Sequence, residues 1–241
     1  MIPQDIYDSA YVRELFEEMS TSYRLTNLIS SFGFSKIWRD QCVSQADISP
    51  DATVYELMAG NGDSFSTLLG KLNQNGKIIA VDFCRRMCEQ AKARKEKLAP
   101  QLVTVLEQDV LTNEFPSESA DVVISAFGLK TFSDEQKQIL AGQVHRLLKP
   151  GGRFSLLEIS VPANCFLRCL YMFYLRRLIP LIGWLMLGNP DNYRMLGVYT
   201  QRFQDCRRTA QIFELTGLKS EYRLHFFGCA TSIVGQKPLG I

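Results

Sequence analysis

Short β-branched segments alternate with helix-like segments through the first two thirds of the 241-residue chain, and this alternation restricts the fold more than any other feature. The strand-like segments are Thr53–Leu57, Lys77–Val81, Val103–Leu106, Asp121–Ser125 and Phe154–Glu158. The helix-like segments between them are Ser64–Leu72, Arg85–Leu98 and Asp134–Leu148. Because consecutive parallel strands need crossover connections, the pattern predicts a parallel sheet with helices on both faces and a ligand crevice at the strand carboxyl ends.

The pattern in the last third of the chain predicts one more helix and the last two strands of the sheet. Arg202–Thr216 has a helical pattern, and Tyr222–Phe227 and Ala230–Val234 form a predicted hairpin. The predicted fold is therefore α/β: a Rossmann-like, seven-stranded, mostly parallel sheet with an antiparallel last strand. We expect a single domain over residues 1–241, with a helical cap at 1–40 and a helical lid at 162–200.

Composition narrows the classes of partner. A net charge of +2 and a pI near 8.1 are too mild to indicate a nucleic-acid partner. The seven cysteines have no spacing suited to zinc, so we expect no metal and reduced thiols. The N-terminal segment carries acidic residues where a signal peptide would be basic, which favours a cytoplasmic location.

The most apolar segment, Cys165–Leu187, is interrupted by three arginines and a proline, so we do not expect it to span a membrane. Three interpretations stay open. The segment can lie on a membrane surface, as in peripheral membrane contact; it can roof an apolar pocket; or it can form a buried helical hairpin.

A tight turn after the first predicted strand, in the sequence ELMAGNGD, indicates a cofactor loop. It places Glu56, Ala59, Gly60, Gly62 and Asp63 where the backbone can approach a ligand closely. The turn is neither G-x-G-x-x-G nor followed by G-K-[ST], which counts against NAD and ATP. A carboxylate at Glu56 suits the amino group of a methionine moiety, so S-adenosylmethionine (SAM) is the expected cofactor.

Acids also close the second and third predicted strands. Asp82 is placed to accept the two ribose hydroxyls, and Asp109 to accept from the adenine amino group. Each acid has an alternative role as a turn former or helix N-cap, and the combination in this order is what favours a cofactor site. Neighbouring residues assigned to the same site are Phe83, Met87, Val110, Ala126 and Phe127.

Several segments resemble the UbiE-type C-methyltransferases of ubiquinone and menaquinone biosynthesis, over nearly the whole chain. The matching segments are MSTSYRLTNLISSFGFSKIWR, ELMAGNGD, AVDFCRRM, QDVLTNEFPSESADVVISAFGLKTFSD, HRLLKPGGRFSLLEISVP, LRCLYMFYLRRLIPLIG and NYRMLGVYTQRF. The resemblance implies methyl transfer from SAM to a ring carbon of a polyprenylated quinol, with the lid helices receiving the prenyl chain.

The sequence departs from the family pattern on the acceptor side. Tyr23-Arg24 stands for Tyr-Asp, Ser35 for a histidine, Lys130-Thr131 for Arg-Asn, and Ile233 for a histidine near the C-terminus. Lysine keeps the charge of arginine but loses its planar fork of donors. The candidates for acceptor-side chemistry are Tyr23, Lys130, Tyr193 and His225.

These patterns leave three functional hypotheses. The first is methylation of a hydrophobic quinol- or phenol-like acceptor, and the second is O-, N- or C-methylation of a smaller specialised metabolite. The third is a non-catalytic scaffold, which an intact cofactor loop disfavours. The expected partner is a hydrophobic small molecule, and a homodimer is one candidate assembly.

Overall fold

The structure, a computed structural model, describes residues 5–31, 33–185 and 189–239, with the backbone alone at 21–30 and 190. Its centre is a seven-stranded sheet. The strands are β1 (Thr53–Leu57), β2 (Lys77–Asp82), β3 (Val103–Glu107), β4 (Ala120–Ala126), β5 (Leu148–Ile159), β6 (Lys219–His225) and β7 (Ala230–Gln236). Their order is β3-β2-β1-β4-β5-β7-β6, and β7 runs antiparallel to both neighbours while the other pairings are parallel. The predicted fold class is confirmed.

Helices cover both faces of the sheet and its carboxyl edge. They are α1 (Ser9–Ser30), α2 (Phe34–Gln45), α3 (Phe65–Leu69), α4 (Arg85–Leu98), α5 (Asp134–Leu147), α6 (Cys165–Phe173), α7 (Ile179–Leu185), α8 (Pro190–Phe203) and α9 (Arg207–Leu215). A π-helical turn, Tyr174–Leu178, joins α6 to α7. No helix in the described ranges is long and apolar enough to cross a bilayer.

Side-chain alternation along the strands divides the core between the two faces. On β4, Val122 and Ile124 pack with Phe65 of α3, whereas Val123 packs on the other face with Leu140 of α5. This period of two is the geometry of a strand buried on both sides. Packing on both faces of the sheet holds the strand ends in place, and residues at those ends form the site.

A capping box starts α5. The Ser133 hydroxyl accepts from the Gln136 amide N–H at 3.2 Å, and the Gln136 side chain accepts from the Ser133 N–H at 2.9 Å. The Gln136 side-chain amide also donates to the Tyr7 carbonyl at 3.0 Å. Helix α5 therefore ties the N-terminal segment over the carboxyl edge of the sheet.

The predicted helix at Arg202–Thr216 was wrong at its start. The chain leaves α8 after Phe203, with Gln204 at φ 63°, and re-enters a helix at Arg207. Two bonds compete with helical continuation: the Gln204 carbonyl accepts from the Val161 N–H at 2.7 Å, and the Cys206 N–H donates to the Thr231 hydroxyl at 3.1 Å. The break joins the end of the lid to the sheet.

The predicted hairpin is confirmed, but its first strand ends two residues early. Phe226 and Phe227 have φ angles of 42° and 55°, in the left-handed region that non-glycine residues rarely adopt. Strand β6 therefore stops at His225, and the two phenylalanines form the turn into β7.

Candidate active site

A cleft lies at the carboxyl ends of β1, β2 and β4. Eleven of the twelve residues predicted to bind a cofactor line it: Glu56, Ala59, Gly60, Asp63, Asp82, Phe83, Met87, Asp109, Val110, Ala126 and Phe127. Gly62 is the exception. The N-terminal segment completes the cleft from above with Tyr7, Val12 and Phe16.

The cofactor loop is held against the end of β2 by backbone hydrogen bonds. The Ala59 N–H donates to the Val81 carbonyl at 3.0 Å, and the Gly60 N–H donates to Asp82 Oδ2 at 2.8 Å. Gly62 has φ 74°, and a Cβ there would lie 2.4 Å from the Phe65 ring. Gly62 therefore lets the loop turn tightly over Phe65.

Glu56 presents a buried carboxylate to the cleft. The side chain is 3 % exposed, and Oε2 has no hydrogen-bond partner among the described residues. Burial raises the pKa of Glu56 to about 7. A buried carboxylate oxygen without a donor is costly, and an ammonium group bound in the cleft would satisfy it.

Asp82 closes β2 and faces the same cleft. Its Oδ2 accepts from Gly60, and its Oδ1 accepts from the Cys84 N–H at 2.9 Å. Burial raises the pKa of Asp82 to about 6. Because each carboxylate oxygen has two lone pairs, these bonds leave capacity for the predicted ribose hydroxyls. Asp82 thus both shapes the loop and offers acceptors.

Asp109 and Asp63 have local partners as well. Asp109 Oδ1 accepts from the Leu111 N–H at 2.9 Å, which occupies one of its oxygens. Asp63 pairs with Arg39 at 3.5 Å and forms a short ion pair with Arg94. Two arginines therefore balance the charge of Asp63, so its side chain anchors the loop as well as lining the cleft.

A second, apolar cavity adjoins the cleft. Phe127, which has φ 72°, lines both cavities. The wall of the second cavity comes from α2 with the residue after α1, the lid helices, the β6–β7 turn, the turn after β4 and the end of β5. These residues are Ser31, Phe34, Ser35, Trp38, Lys130, Ile159, Leu167, Leu170, Tyr171, Tyr174, Leu175, Ile179, Leu196, Phe226 and Cys229. We call it the acceptor cavity. Its apolar, aromatic lining suits a hydrophobic ligand.

A buried ion pair lies in the wall of the acceptor cavity. Lys130 Nζ donates to Glu158 Oε1 at 2.9 Å and to the Phe127 carbonyl at 2.8 Å. The Lys130 N–H donates to Glu158 Oε2 at 3.1 Å, and the two side chains are 3 % and 0 % exposed. Buried charges persist only with such complete hydrogen bonding. An ammonium has three N–H donors, so one remains for a ligand.

The structure does not bring the other acceptor-side candidates to the cavity. Tyr193 is fully buried and packs against Gly183, where a Cβ would lie 2.2 Å from its ring. His225 bonds the Ser232 hydroxyl at 2.9 Å. Neither residue lines either cavity, so their assignment to acceptor-side chemistry stays a prediction without a contact to support it. Tyr23 lies in residues 21–30 of α1, whose side chains fall outside the described part of the chain.

Sequence reasoning missed three parts of the site. Tyr7, Val12 and Phe16 reach the cleft through tertiary packing, which no local motif signals. Arg39 lies beneath the Phe127 ring at 5.0 Å from its centroid. Glu158 stands near the end of β5, so the rule that assigned Glu56, Asp82 and Asp109 to strand ends would have found it.

Comparison with known proteins decides the family. The sequence matches the ubiE/COQ5 methyltransferase family over residues 4–237. The chain belongs to this family. The resemblance found in the sequence is thereby confirmed, and the protein is an enzyme that transfers a methyl group.

Relatives and solved structures agree with this assignment. The chain is 32 % identical to a demethylmenaquinone methyltransferase of Deinococcus radiodurans, over 94 % of this chain and 92 % of the relative. It is 30 % identical to the demethylmenaquinone methyltransferase of Thermus thermophilus, over 93 % of this chain and the whole relative. A SAM-dependent methyltransferase from Aquifex aeolicus has the same fold, with a TM-score of 0.58, 16 % identity and coverage of 83 % and 89 %.

The cleft fits SAM, the methyl donor of this enzyme. The unpartnered Glu56 oxygen suits the amino group of the methionine moiety, and Asp82 offers acceptors to the ribose. The narrow turn at Gly60 and Gly62 lets the backbone approach the ligand. SAM supplies an electrophilic methyl group when bound, and the protein contributes binding, orientation and exclusion of water.

Proposed function

We propose that the protein methylates a quinol- or phenol-like ring that carries an apolar, prenyl-type tail. The observation that supports this most strongly is the acceptor cavity: it is large and apolar, it shares Phe127 with the SAM cleft, and Lys130 is the basic residue in its wall. A ring bound near Phe127 lies close to the donor, and its tail fills the remaining apolar volume. The named relatives act, by their names, on demethylmenaquinone.

In this proposal Lys130 is the catalytic residue that binds the ring hydroxyl. Loss of the hydroxyl proton to solvent makes the ring carbon a better nucleophile, and once that carbon is methylated its own hydrogen moves as a proton to the oxygen, so that one proton is released in all. The ammonium stabilises the resulting oxyanion in a site where water is scarce, and such charge stabilisation is worth more there than in water. Glu158 is a positioning residue, because it fixes Nζ through Oε1 and the backbone through Oε2.

Aromatic side chains orient the ring. Phe34 and Trp38 pack at 5.4 Å between ring centroids, and Phe34 and Phe226 pack at 4.4 Å. This aromatic wall offers stacking surfaces that hold a flat acceptor near its in-line approach to the methyl group.

The test is methylation of 1,4-naphthoquinols with tails of increasing length, with catechol as the acceptor without a tail. We expect kcat/KM to rise with each added methylene, by up to about fourfold for full burial at roughly 0.8 kcal/mol. Lys130→Arg should keep part of the activity. Equal rates for catechol and the long-tailed quinols would contradict the proposal.

A smaller specialised metabolite is the second candidate acceptor. It is favoured by Ser35 and Lys130, which stand at the family's histidine and arginine positions and both line the cavity. The Ser31 hydroxyl donates to the Ser35 hydroxyl at 2.9 Å, so a polar pair occupies this part of the wall. Activity on catechol with indifference to tail length would support this acceptor.

A further inference from the structure

The lid carries large apolar side chains that no part of the described chain covers. Helix α6 has no buried residue although its sequence is CFLRCLYMF. Phe166, Phe173, Trp184 and Leu185 are 58–72 % exposed. Monomeric soluble proteins rarely expose a contiguous patch of this kind, and such patches mark interaction sites.

A second exposed apolar element lies beside the lid. Phe226 and Phe227 are 50 % and 79 % exposed, and both adopt the left-handed backbone conformation. Gly228 of the same turn approaches Pro162 at the start of the lid, and the Tyr171 hydroxyl donates to the Cys229 carbonyl at 3.3 Å. The turn and the lid therefore form one surface.

This surface surrounds the mouth of the acceptor cavity. Leu170 of the lid and Phe226 of the turn both line the cavity, and both are about half exposed. A tail leaving the cavity between them would emerge onto the exposed apolar side chains. The surface is thus continuous with the site that the proposed function assigns to the tail.

The charge of the lid indicates which kind of partner this surface binds. Residues 159–190 contain no aspartate or glutamate, whereas Arg168, Arg176 and Arg177 are exposed in that segment. Exposed Trp, Phe and Leu with flanking arginines are the composition of helices that lie in a bilayer interface. Cationic side chains next to an apolar face complement anionic lipid headgroups.

We propose that α6, α7 and the Phe226–Phe227 turn form a docking surface for an anionic lipid bilayer, through which the acceptor enters without crossing water. The inference rests on the proposed function for the acceptor and extends it to the partner that delivers it. Strain at Phe226 and Phe227 is consistent with a turn held to display its rings.

The experiment is flotation of the full chain with vesicles of phosphatidylcholine, with and without phosphatidylglycerol. We expect binding to the anionic vesicles that falls about tenfold for Trp184→Ser and for Phe227→Ser, from loss of one buried aromatic side chain. Arg176→Gln should weaken it about fivefold. Leu215→Ser is the matched control, because Leu215 is 81 % exposed on α9.

Thermal unfolding and binding of S-adenosylhomocysteine (SAH) check that each variant is folded. Failure of the wild type to bind either vesicle overturns the proposal, as does binding that Trp184→Ser and Phe227→Ser leave unchanged. A concentration-dependent dimer that these variants abolish, without vesicle binding, would assign the surface to a second copy of the chain. Methylation of a short-tailed acceptor in solution is measured separately, so loss of the proposed function and loss of docking are distinguishable.

Discussion

The SAM cleft and the acceptor cavity adjoin at Phe127 but are built in different ways. The carboxylates of the cleft lie at the ends of parallel strands, where the backbone N–H groups of Gly60 and Cys84 hold the Asp82 side chain in place. The acceptor cavity takes most of its wall from helices and a turn that expose apolar side chains, and only Phe127, Lys130 and Ile159 of the described lining come from the ends of β4 and β5 or the turn after β4. The contrast indicates that the sheet fixes the donor, while the inserted helices determine which acceptor reaches it.

The largest expected effect is on stability, and it comes from breaking the buried ion pair between Lys130 and Glu158. Lys130→Met leaves Glu158 buried without its partner, so we expect a loss of about 3–5 kcal/mol in the free energy of unfolding. The double variant Lys130→Met/Glu158→Gln removes both charges and should recover most of that loss. Chemical denaturation measures both values, and a single variant as stable as the wild type would contradict the buried pair.

Glu56→Gln tests the donor side. The variant keeps the shape of the side chain but loses its charge, so SAH should bind about 1.5–3 kcal/mol more weakly, or roughly 13-fold to 160-fold. Calorimetric titration gives the dissociation constant. An affinity within twofold of the wild type would show that Glu56 does not meet the ammonium group.

Two glycines offer a matched comparison between the regions. Alanine at Gly62 would place its Cβ 2.4 Å from the Phe65 ring, and alanine at Gly183 would place its Cβ 2.2 Å from the Tyr193 ring. Each change should destabilise its own region by about 1–3 kcal/mol. We expect Gly62→Ala to weaken SAH binding and Gly183→Ala to lower activity on long-tailed acceptors. If Gly62→Ala lowered activity on long-tailed acceptors and Gly183→Ala weakened SAH binding, the proposed separation of the two regions would be contradicted.

The smallest effect concerns pH. Burial raises the pKa of Glu56 to about 7, so binding an ammonium below that pH requires the carboxyl to lose a proton. SAH affinity should fall about fivefold as the pH drops from 7 to 6, and the fall approaches tenfold per pH unit, or about 1.4 kcal/mol, below pH 6. The Glu56→Gln variant is the control and should show a flatter profile in this range.

The same raised pKa values predict an opposite trend for the stability of the protein without cofactor. Glu56 and Asp82 hold protons more tightly in the folded than in the unfolded state. Their contribution to stability is therefore fully present below about pH 4 and is lost as the pH rises through 6 and 7. Denaturation of the wild type, Glu56→Gln and Asp82→Asn at pH 5 and 8 isolates this contribution.

The donor side could be predicted from the sequence to a greater extent than the acceptor side. Glu56 and Asp82 lie at the carboxyl ends of recognisable strands, and such ends converge at one edge of a parallel sheet whatever the conformation of the loops. The tertiary structure adds a packing reason for Gly62, whose missing Cβ leaves room for the Phe65 ring.

The acceptor side depends on contacts between segments far apart in the chain. Tyr193 and His225 are plausible bases in the sequence, yet packing directs Tyr193 towards Gly183 and hydrogen bonding directs His225 towards Ser232. The left-handed conformation falls on Phe226 and Phe227, and Gly228 after them signals a turn without marking these two positions. Such features require the tertiary structure.

Calorimetric titration with SAH of the wild type, Asp82→Ala and Lys130→Met/Glu158→Gln tests the central claim most directly, with thermal unfolding to show that each protein is folded. The account predicts micromolar binding by the wild type and the double variant, and loss of binding in Asp82→Ala. No binding by the folded wild type would contradict a SAM cleft at the strand ends. Loss of binding in the double variant would contradict the separation of the donor cleft from the acceptor cavity.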